Sequence, residues 1–314
     1  MSPSCTFLLY YQLSRLYVTS YKYPERLRTL ESAAVNPIFA RSVRTLDVLQ
    51  RAYMRALGYV SPIRNSRTVF DSIVRCDSRD FVQRRIRFFE VFEHNLTYYT
   101  MDRLRDGDLY VDIGANIGYF SLLASRCVGD RGRVISVEAD PITFSALVNN
   151  LELNNCRNVS ARNVAATATA CKIGITRSDP HNSGSNAITV GTGSGSVEGL
   201  PFRDIVGDDL GRVRFIKIDI EGSEAPVLSS ILDALPELPD DLIVATEISP
   251  TSADHVARFA ASGFRAYGIQ NVYTIDYYLI RSYLRRFGED KSVQLFPVSG
   301  YDQKYRDYIF ERVG

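Results

Sequence analysis

The chain has 314 residues, 45% of them apolar, which is enough to bury one large core with an appendage and excludes a fully disordered protein. The net charge is only +1, but residues 1–105 carry 17 Lys and Arg against 9 Asp and Glu, so the remainder has 7 more acids than bases. A basic amino-terminal part can attract a membrane surface or nucleic acid. Its arginines are scattered through apolar helical patterns, however, which favours a solvated helical face.

The five cysteines are odd in number and form no Cys-x-x-Cys pair, so the sequence suggests neither a disulfide framework nor a zinc site. The apolar stretch from Cys5 to Leu13 is short, is interrupted by Gln12, and lacks both a basic flank and a cleavage site. The sequence therefore predicts neither export nor a membrane span, and we expect a cytoplasmic protein.

The amino-terminal region reads as helical. From Phe7 to about Gly58 apolar residues recur at spacings of three and four, with breaks near Pro24 and Pro37. We expect a helical region over residues 1–87, whose tyrosine-rich start is compatible with a homodimer interface. The pattern does not decide whether Val69–Ile73 and Phe88–Phe92 are short strands or helix ends.

An apolar strand, Leu109–Ile113, runs into a turn that holds Gly114, Asn116 and Gly118. Continuous apolar character is typical of a buried parallel strand, and the glycines would let the backbone approach a ligand closely. A helix with apolar spacing follows over Tyr119–Val128. The Gly-x-x-x-Gly spacing differs from the Gly-x-Gly-x-x-Gly of dinucleotide folds, which weighs against NAD.

A second apolar strand, Arg133–Val137, ends in Glu138. A carboxylate at this position is suited to accept hydrogen bonds from both hydroxyls of a ribose. In the alternative, Glu138 has no ligand and is only a solvated residue at the end of the strand. Together with Asp112 on the preceding strand, Glu138 predicts recognition of an adenosine that carries no pyrophosphate.

Strands alternate with helices from Asp108 onward, which predicts a parallel sheet with right-handed crossovers. One helix is expected over Pro141–Asn154. The further predicted strands are Val159–Val164, Val213–Ile218, Leu242–Glu247, Arg265–Leu279 and Tyr305–Glu311. Ligands should gather at the carboxyl ends of the parallel strands.

A long insert, Ala165–Asp209, separates the third and fourth of these strands, and its centre is rich in Gly, Ser, Asn and Pro. Such loops are usually functional or disordered. The first half is interpreted as a substrate loop, in which His181 is a candidate base, and the second half as an exposed hairpin tip.

Two acids, Asp219 and Glu221, follow the fourth strand and are the leading candidates for a general base. Alternation puts both on one side if the strand extends that far, and a pair of carboxylates can raise the pKa of one of them. In the alternative, Asp219 only caps the next helix and Glu221 binds Lys217. With Glu247 at the same edge, the three acids could instead hold Mg²⁺, which we rank below catalysis without a metal.

Three motifs in order resemble the FkbM family of S-adenosylmethionine-dependent methyltransferases, over about residues 88–314. They are Val111-Asp-Ile-Gly-Ala-Asn-Ile-Gly-Tyr-Phe120, Val137-Glu-Ala-Asp-Pro141 and Ile216-Lys-Ile-Asp-Ile-Glu-Gly-Ser-Glu224. The resemblance also includes Phe92-Glu93, shortly before the first strand, and Asp307-Tyr-Ile-Phe310, near the end. One departure is His94, where the family usually has Pro.

The resemblance implies an α/β, Rossmann-like class I methyltransferase fold over residues 88–314, with a seven-stranded, mostly parallel sheet whose last strand is antiparallel. It implies S-adenosylmethionine as the cofactor and brings no metal with it. Taken with the motifs, it gives these candidate cofactor contacts: Glu93, Asp112, Gly114, Asn116, Gly118, Glu138, Ala139, Asn163, Ala165 and Asp219.

The resemblance also implies O-methylation of a small molecule, a sugar, or a glycolipid or polyketide acceptor. The Asn/Asp-Pro-Pro-Tyr motif expected of methylation at base amino groups is absent from the fourth strand. Two alternatives stay open: a nucleic-acid methyltransferase that uses the basic amino-terminal region, and a module that binds the cofactor without catalysis. We expect a small-molecule or glycan acceptor and no nucleic acid.

Overall fold

A computed structural model of the protein describes residues 62–177, 186–190, 196–220, 222–273, 277–278, 281 and 293–313. The chain divides into two compact units, one of Met1–Val60 with Val272–Lys291 and one of Ser61–Asn271 with Ser292–Gly314. In the first unit, residues 277, 278 and 281 are helical. The predicted amino-terminal helices and their dimer interface lie outside the described residues, as do His181 and Glu221.

All remaining elements belong to the second unit. Its helices are α1 (Phe81–Phe89), α2 (His94–Arg103), α3 (Tyr119–Val128), α4 (Pro141–Leu153), α5 (Phe202–Val206), α6 (Glu224–Ala234) and α7 (Asp254–Ala261). Its strands are β1 (Ile63–Arg67), β2 (Ile73–Asp77), β3 (Leu109–Ile113), β4 (Arg133–Val137), β5 (Val159–Arg162), β6 (Ala165–Ala166), β7 (Cys171–Arg177), β8 (Asn186–Val190), β9 (Val197–Leu200), β10 (Val213–Ile218), β11 (Ile243–Glu247), β12 (Phe264–Ile269), β13 (Leu295–Val298) and β14 (Asp307–Arg312).

An eight-stranded sheet in the order β13-β12-β14-β11-β10-β3-β4-β5 forms the centre of this unit. Strands β5, β4, β3, β10 and β11 are parallel, and β14 runs antiparallel between β11 and β12. The mostly parallel α/β sheet with an antiparallel last strand is therefore confirmed. The eighth strand, β13, was not predicted; it contains Pro297, which an edge strand tolerates because one side of it makes no ladder hydrogen bonds.

The continuous apolar strands lie where the sheet is covered on both faces. Every residue of β3 is buried, and β10 is buried from Phe215 to Ile218. Val111, Ile113 and Ile216 pack into one hydrophobic core with α6, which is why this region of the sheet reads as nearly uninterrupted Val, Ile and Leu.

The start of α4 is fixed by the sequence around Asp140. Its carboxylate accepts hydrogen bonds from Ile142 N (3.2 Å) and from the Thr143 hydroxyl (2.9 Å), and Pro141 occupies the first turn. A side-chain cap of this kind contributes about 1 kcal/mol, and proline at the first helical position costs no hydrogen bond. The helix therefore begins at Pro141, three residues after Glu138 at the strand end.

Part of the predicted helical region is instead a β-hairpin. Strands β1 and β2 pair antiparallel over residues 63–77, and Val69 and Phe70 lie in the turn between them. Phe88 and Phe89 end α1, which settles the second undecided segment as a helix end. The boundary predicted after residue 87 falls inside this helix.

The insert Ala165–Asp209 is not a single polar loop. Strands β6, β9, β7 and β8 form a second sheet in that order, followed by α5. Ile173 and Val197 are buried against Ala165, so alternate residues of these strands make a small core of their own. The segments interpreted as a substrate loop and a hairpin tip fall largely on residues 178–185 and 191–195, outside the described residues.

Among the residues described, no helix has both the length and the apolar character that crossing a bilayer requires.

Candidate active site

The candidate residues lie in one row along the carboxyl edge of the main sheet. The strand register pairs Ile113 with Val137 and with Ile218, and Ile218 with Thr246. The residues that follow these positions are Gly114, Glu138, Asp219 and Glu247. Glu247 pairs in turn with Asp307 on β14. Because neighbouring strands are ~4.8 Å apart, the row places Asp219 about 10 Å from Glu138, with Gly114 between them.

Gly114 allows two strand ends to approach closely. Its φ is +78°, and a Cβ at this position would lie 1.9 Å from the carbonyl oxygen of Asp219. Asp219 N donates to the Ile113 carbonyl at 3.0 Å, and Gly114 N donates to that of Val137 at 2.9 Å. The contact that requires this glycine is therefore one between backbones.

Gly118 serves a packing purpose as well. Its φ is +91°, and a Cβ there would meet the Leu147 side chain at 2.6 Å. It is the residue immediately before α3, so it lets this helix pack against α4. Asn116, at φ 50°, takes the left-handed conformation that asparagine tolerates better than most residues.

The carboxylate of Glu138 is held by two backbone N–H groups. Asn116 N donates to one oxygen at 2.9 Å and Asp140 N donates to the other at 2.9 Å. Each oxygen keeps a second lone pair for a ligand. Burial raises the pKa of Glu138 to about 7, against the two backbone hydrogen bonds, which lower it. This geometry agrees better with an oriented binding group than with a solvated strand end.

Asn163 fixes the loop after Glu138. Its side-chain amide donates to the backbone carbonyls of Glu138 (2.8 Å) and Ala139 (2.9 Å). Ala139 packs against the small core that contains Ala165, which is 1% exposed. These three residues, predicted as cofactor contacts, are thus seen to shape the loop, and direct contact with a ligand stays a prediction for each.

Asp112 lies beneath the site and is fully buried. Its Oδ2 accepts a hydrogen bond from the Ser121 hydroxyl at 2.6 Å, and Ser136 donates to Ser121 at 2.8 Å. Burial raises the pKa of Asp112, and the positive charge of Lys217 opposes this. Asp112 therefore connects β3 to α3 and, through Ser121, to β4, and it lies within electrostatic reach of Lys217.

Lys217 is the cation on which the buried acids depend. It is 4% exposed, its Nζ lies 3.0 Å from Asp219 Oδ2, and it sits 4.8 Å from the centroid of the Phe120 ring. Burial lowers the pKa of Lys217, but the charges of Asp219, Asp112 and Glu93 outweigh it and the net shift is upward. Lys217 is thus charged and holds these carboxylates together.

This pairing bears on the leading candidate for the base. The alternative interpretation of the sequence paired Lys217 with Glu221, which lies outside the described residues; the described contact joins Lys217 to Asp219. Asp219 Oδ2 is thus engaged by a buried ammonium. A role of Asp219 as the general base stays a prediction.

The acidic cleft at this edge is lined by Glu93, Leu96, Lys217, Asp219, Glu247 and Asp307, among others. Glu93 is 5% exposed and adopts a left-handed backbone conformation at φ 44°, unusual for a residue other than glycine. Strained backbone of this kind is found preferentially at functional sites.

Two further carboxyls face each other across β11 and β14. Glu247 Oε1 lies 2.8 Å from Arg306 Nε, and Asp307 Oδ2 accepts a hydrogen bond from the Asn271 amide at 2.9 Å. Burial raises the pKa of Glu247 to about 8, with Asp219 and Asp307 adding to the shift against Arg306. Burial also raises the pKa of Asp307 to about 6, against the hydrogen bond from Asn271.

Asp307 was missed as a site residue, although it begins the Asp307-Tyr-Ile-Phe310 segment already singled out. The signal was available in the predicted topology. An antiparallel strand begins at the edge where its parallel neighbours end, so an acid at its first residue joins theirs. Within the described part of the chain, no three His, Cys, Asp or Glu side chains are grouped so that they could hold a metal ion.

A protein-family model matches most of the segment that contains the three sequence motifs. A family model described as "Methyltransferase FkbM domain" matches residues 112–288. "Methyltransferase 1" of Beauveria bassiana (strain ARSEF 2860) is 26% identical over 161 residues, which cover 44% of this chain and 64% of that protein. The chain thus spans a little under two thirds of the length of this relative.

Two solved structures are similar at low identity. Methyltransferase FkbM from Methylobacillus flagellatus KT is 18% identical, with a TM-score of 0.37, over 67% of this chain and 44% of that one. A SAM-dependent O-methyltransferase from Thermotoga maritima is 13% identical, with a TM-score of 0.40, over 71% of this chain and 66% of that one. Since the family model covers more than half of the residues, the chain belongs to the FkbM methyltransferase domain family.

Proposed function

We propose that the protein transfers the methyl group of S-adenosylmethionine to a hydroxyl oxygen of a small molecule or glycan. The observation that carries this proposal is the cross-strand row Glu138, Gly114, Asp219, Glu247 and Asp307 at the carboxyl edge of the sheet. In open α/β sheets, ligands bind outside this edge.

The charges of the row fit a cationic cofactor. Four acids, Glu138, Asp219, Glu247 and Asp307, stand along it, and the basic side chains that contact them are Lys217 and Arg306. A sulfonium and an ammonium are favoured in such a field, whereas a pyrophosphate or a nucleic-acid backbone is disfavoured. This supports S-adenosylmethionine over NAD and a small-molecule acceptor over RNA or DNA.

Different parts of the site have different proposed roles in binding the cofactor. Glu138 would accept hydrogen bonds from the ribose, and Asn116 and Gly118 would shape the turn beside it. Asp219 and Glu93 would lie toward the positively charged part of the cofactor, which supplies a methyl group activated on a sulfonium. Holding acceptor and methyl in attack geometry is worth ~7 to 11 kcal/mol, so positioning is the main contribution expected of these residues.

Calorimetry with S-adenosylhomocysteine and with NAD tests the cofactor. We expect binding of S-adenosylhomocysteine and none of NAD. Methyl transfer from labelled S-adenosylmethionine to methyl glycosides, hydroxy fatty acids and RNA then tests the acceptor. Transfer to RNA alone would favour the nucleic-acid alternative, and binding without any transfer would favour the non-catalytic module.

Glu138→Ala should weaken binding of S-adenosylhomocysteine roughly 10- to 100-fold, because hydrogen bonds to a charged group are worth ~1.5 to 3 kcal/mol. Glu152→Ala is the matched control, since Glu152 is exposed on α4. Calorimetry on both variants, with thermal melts to verify folding, gives the result. Equal affinity in the two variants would mean that Glu138 does not bind the ribose and is only a solvated residue at the end of the strand.

The affinity for S-adenosylhomocysteine should also rise with pH through about 7, the range in which Glu138 loses its proton and becomes a better acceptor. The stability of the free protein has the opposite sign. Because the pKa of Glu138 is raised from 4.5 by folding, its ionisation destabilises the folded state as pH rises from 4.5 to about 7. In calorimetry between pH 4.5 and about 7, the affinity of wild type for S-adenosylhomocysteine should rise with pH, and Glu138→Gln should remove this rise. A rise in affinity that persists in the variant would assign the pH dependence to another group.

A further inference from the structure

We propose that the Glu247 and Asp307 carboxyls together accept the proton of the acceptor hydroxyl, with Glu247 as the catalytic residue and Asp307 as its partner. This inference rests on the proposed function, because it assigns the proton-accepting step to residues that sequence reasoning did not choose for it.

Glu247 and Asp307 are neighbours at the carboxyl edge of the sheet. They are directly opposite one another on antiparallel strands, so their side chains leave the same face of the sheet with Cβ atoms ~4.5 to 5.5 Å apart. The residues before Glu247 and Asp219, Thr246 and Ile218, pair across β11 and β10, so Glu247 and Asp307 lie one strand beyond the ion pair of Asp219 and Lys217. An acceptor bound over β11 and β14 would thus lie on the far side of Asp219 from Glu138.

Each of the two carboxyls has one oxygen engaged by a neighbouring side chain. Glu247 uses Oε1 for Arg306, and Asp307 uses Oδ2 for Asn271. Across the residues that the structure describes, no hydrogen bond or ion pair engages Glu247 Oε2 or Asp307 Oδ1. Both carboxyls line the acidic cleft. Each is therefore oriented through one oxygen and keeps the other available.

Asp219, the acid nearer to Glu138, is less suited to this step. Asp219 is bonded to Lys217, which is charged and almost completely buried. Proton uptake by Asp219 would weaken this bond and leave the ammonium with less compensation. Glu247 faces no such cost, because its cationic partner Arg306 is 61% exposed and water can solvate it.

The surrounding charges favour a proton shared by this pair. Glu247 is approached by Asp219, which follows β10, by Asp307 at the start of β14, and by Arg306, which precedes β14. Asp307 is approached by Asn271 from the segment after β12. Two acids this close cannot both ionise freely in a half-buried cleft. The raised pKa values of Glu247, about 8, and Asp307, about 6, agree with this arrangement and bracket neutral pH.

Methyl transfer starts from the form in which Glu247 is ionised, which becomes populated as pH rises through its pKa of about 8. The acceptor oxygen forms a bond to the methyl carbon, the bond between that carbon and sulfur breaks with its electron pair going to sulfur, and the hydroxyl proton passes to Glu247 Oε2. The sulfonium charge is neutralised as the carboxylate becomes a carboxylic acid. An alcohol needs this proton acceptor, so the pair also supports oxygen rather than nitrogen as the methylated atom.

The test compares Glu247→Gln and Asp307→Asn with wild type in methyl transfer to the best substrate of the glycoside and hydroxy fatty acid panel. Both substitutions keep size and one hydrogen bond. Glu247→Gln should lower kcat about 10²-fold or more, and Asp307→Asn should lower it less and shift its pH profile. Glu237→Gln and Asp241→Asn, at exposed ion pairs, are controls expected to retain the wild-type rate.

A second readout does not depend on turnover. Carboxyl ¹³C NMR of protein bound to S-adenosylhomocysteine should show two coupled titrations near neutral pH, and each variant should remove one and move the other. Rates within threefold of wild type in both variants, or a loss that leaves the wild-type pH profile in place, would overturn the proposal. If no acceptor in the panel is methylated, two independent titrations at ordinary carboxyl values would overturn it and coupled titrations would sustain it.

A failure of the proposed function can be distinguished from a failure of this inference. If wild type does not bind S-adenosylhomocysteine in calorimetry, the cofactor assignment is wrong whatever the two carboxyls do. If it binds and both variants bind equally well while transfer falls, the defect lies in the proton-accepting step.

Discussion

Lys217→Met is expected to lower the free energy of unfolding by about 3 to 5 kcal/mol, because removing one partner of a buried ion pair leaves uncompensated charge. Lys217 is 4% exposed and its Nζ lies 3.0 Å from Asp219 Oδ2. Asp112, fully buried on the adjacent strand, and Glu93 are stabilised by the same charge. Methionine fills a similar volume, so the loss reports charge more than packing.

Urea unfolding at neutral pH measures this loss. Lys172→Met, at an exposed position on β7, is the control and should change stability by less than about 0.5 kcal/mol. Adding Asp112→Asn to Lys217→Met should recover part of the loss, because it removes one of the acids left without a cation. If Lys217→Met lowers the free energy of unfolding by less than about 1 kcal/mol, Lys217 does not stabilise the buried acids Asp219, Asp112 and Glu93 as inferred.

The pH dependence of the Lys217→Met defect should have a definite sign. Burial holds the pKa of Asp112 above its ordinary value, and without Lys217 this pKa should rise further. Acids with a raised folded pKa take up protons on folding, so the deficit should shrink as pH falls. Unfolding curves at several pH values test this, and a deficit that grows toward acid pH would argue against it.

Strands buried on both faces were the part of the fold that the sequence allowed us to predict best. The predicted bounds of β3, β4 and β10 agree with the structure to the residue. These strands are short continuous apolar runs between turn residues, and both faces are covered by other elements. The predicted strand at Arg265–Leu279 was too long, since β12 ends at Ile269 and residues 277 and 278 are helical.

Elements with a mixed pattern were predicted poorly. The hairpin β1–β2 contains three arginines and exposes Ile63 and Ile73, so its residues resemble the polar face of a helix. The hairpin is held by partners far along the chain: Asn150 of α4 and Asn154, which follows α4, accept hydrogen bonds from Arg75 N and Ile73 N, each at 2.8 Å. Local periodicity contains no information about such partners.

The candidate site, too, was predictable only in part. Strand-end positions identified Glu138, Asp219 and Glu247 because each closes an apolar run. The pairing of Asp219 with Lys217, and of Glu247 with Asp307, depends on burial and on register between strands distant in sequence. Spacing along the chain therefore indicated which acids reach the edge of the sheet, but not which of them would be neutralised there.

Gly114→Ala is expected to cost about 2 to 5 kcal/mol of stability, with two separable causes. A left-handed backbone at φ +78° costs an alanine ~1 to 2 kcal/mol. The added Cβ would also lie 1.9 Å from the Asp219 carbonyl oxygen, and relieving such overpacking costs ~1 to 3 kcal/mol.

Gly107→Ala separates these causes, because Gly107 has φ +95° and nothing within 4 Å of an added Cβ. It should show the conformational cost alone, so urea unfolding of the two variants gives the steric part as their difference. The steric part must be relieved by moving β3 and β10 apart at the edge where Asp219 N bonds to the Ile113 carbonyl. Gly114→Ala should therefore also weaken binding of S-adenosylhomocysteine, whereas Gly107→Ala should not. Equal losses of stability in the two variants, with affinity unchanged in both, would mean that the strand ends do not depend on this close approach.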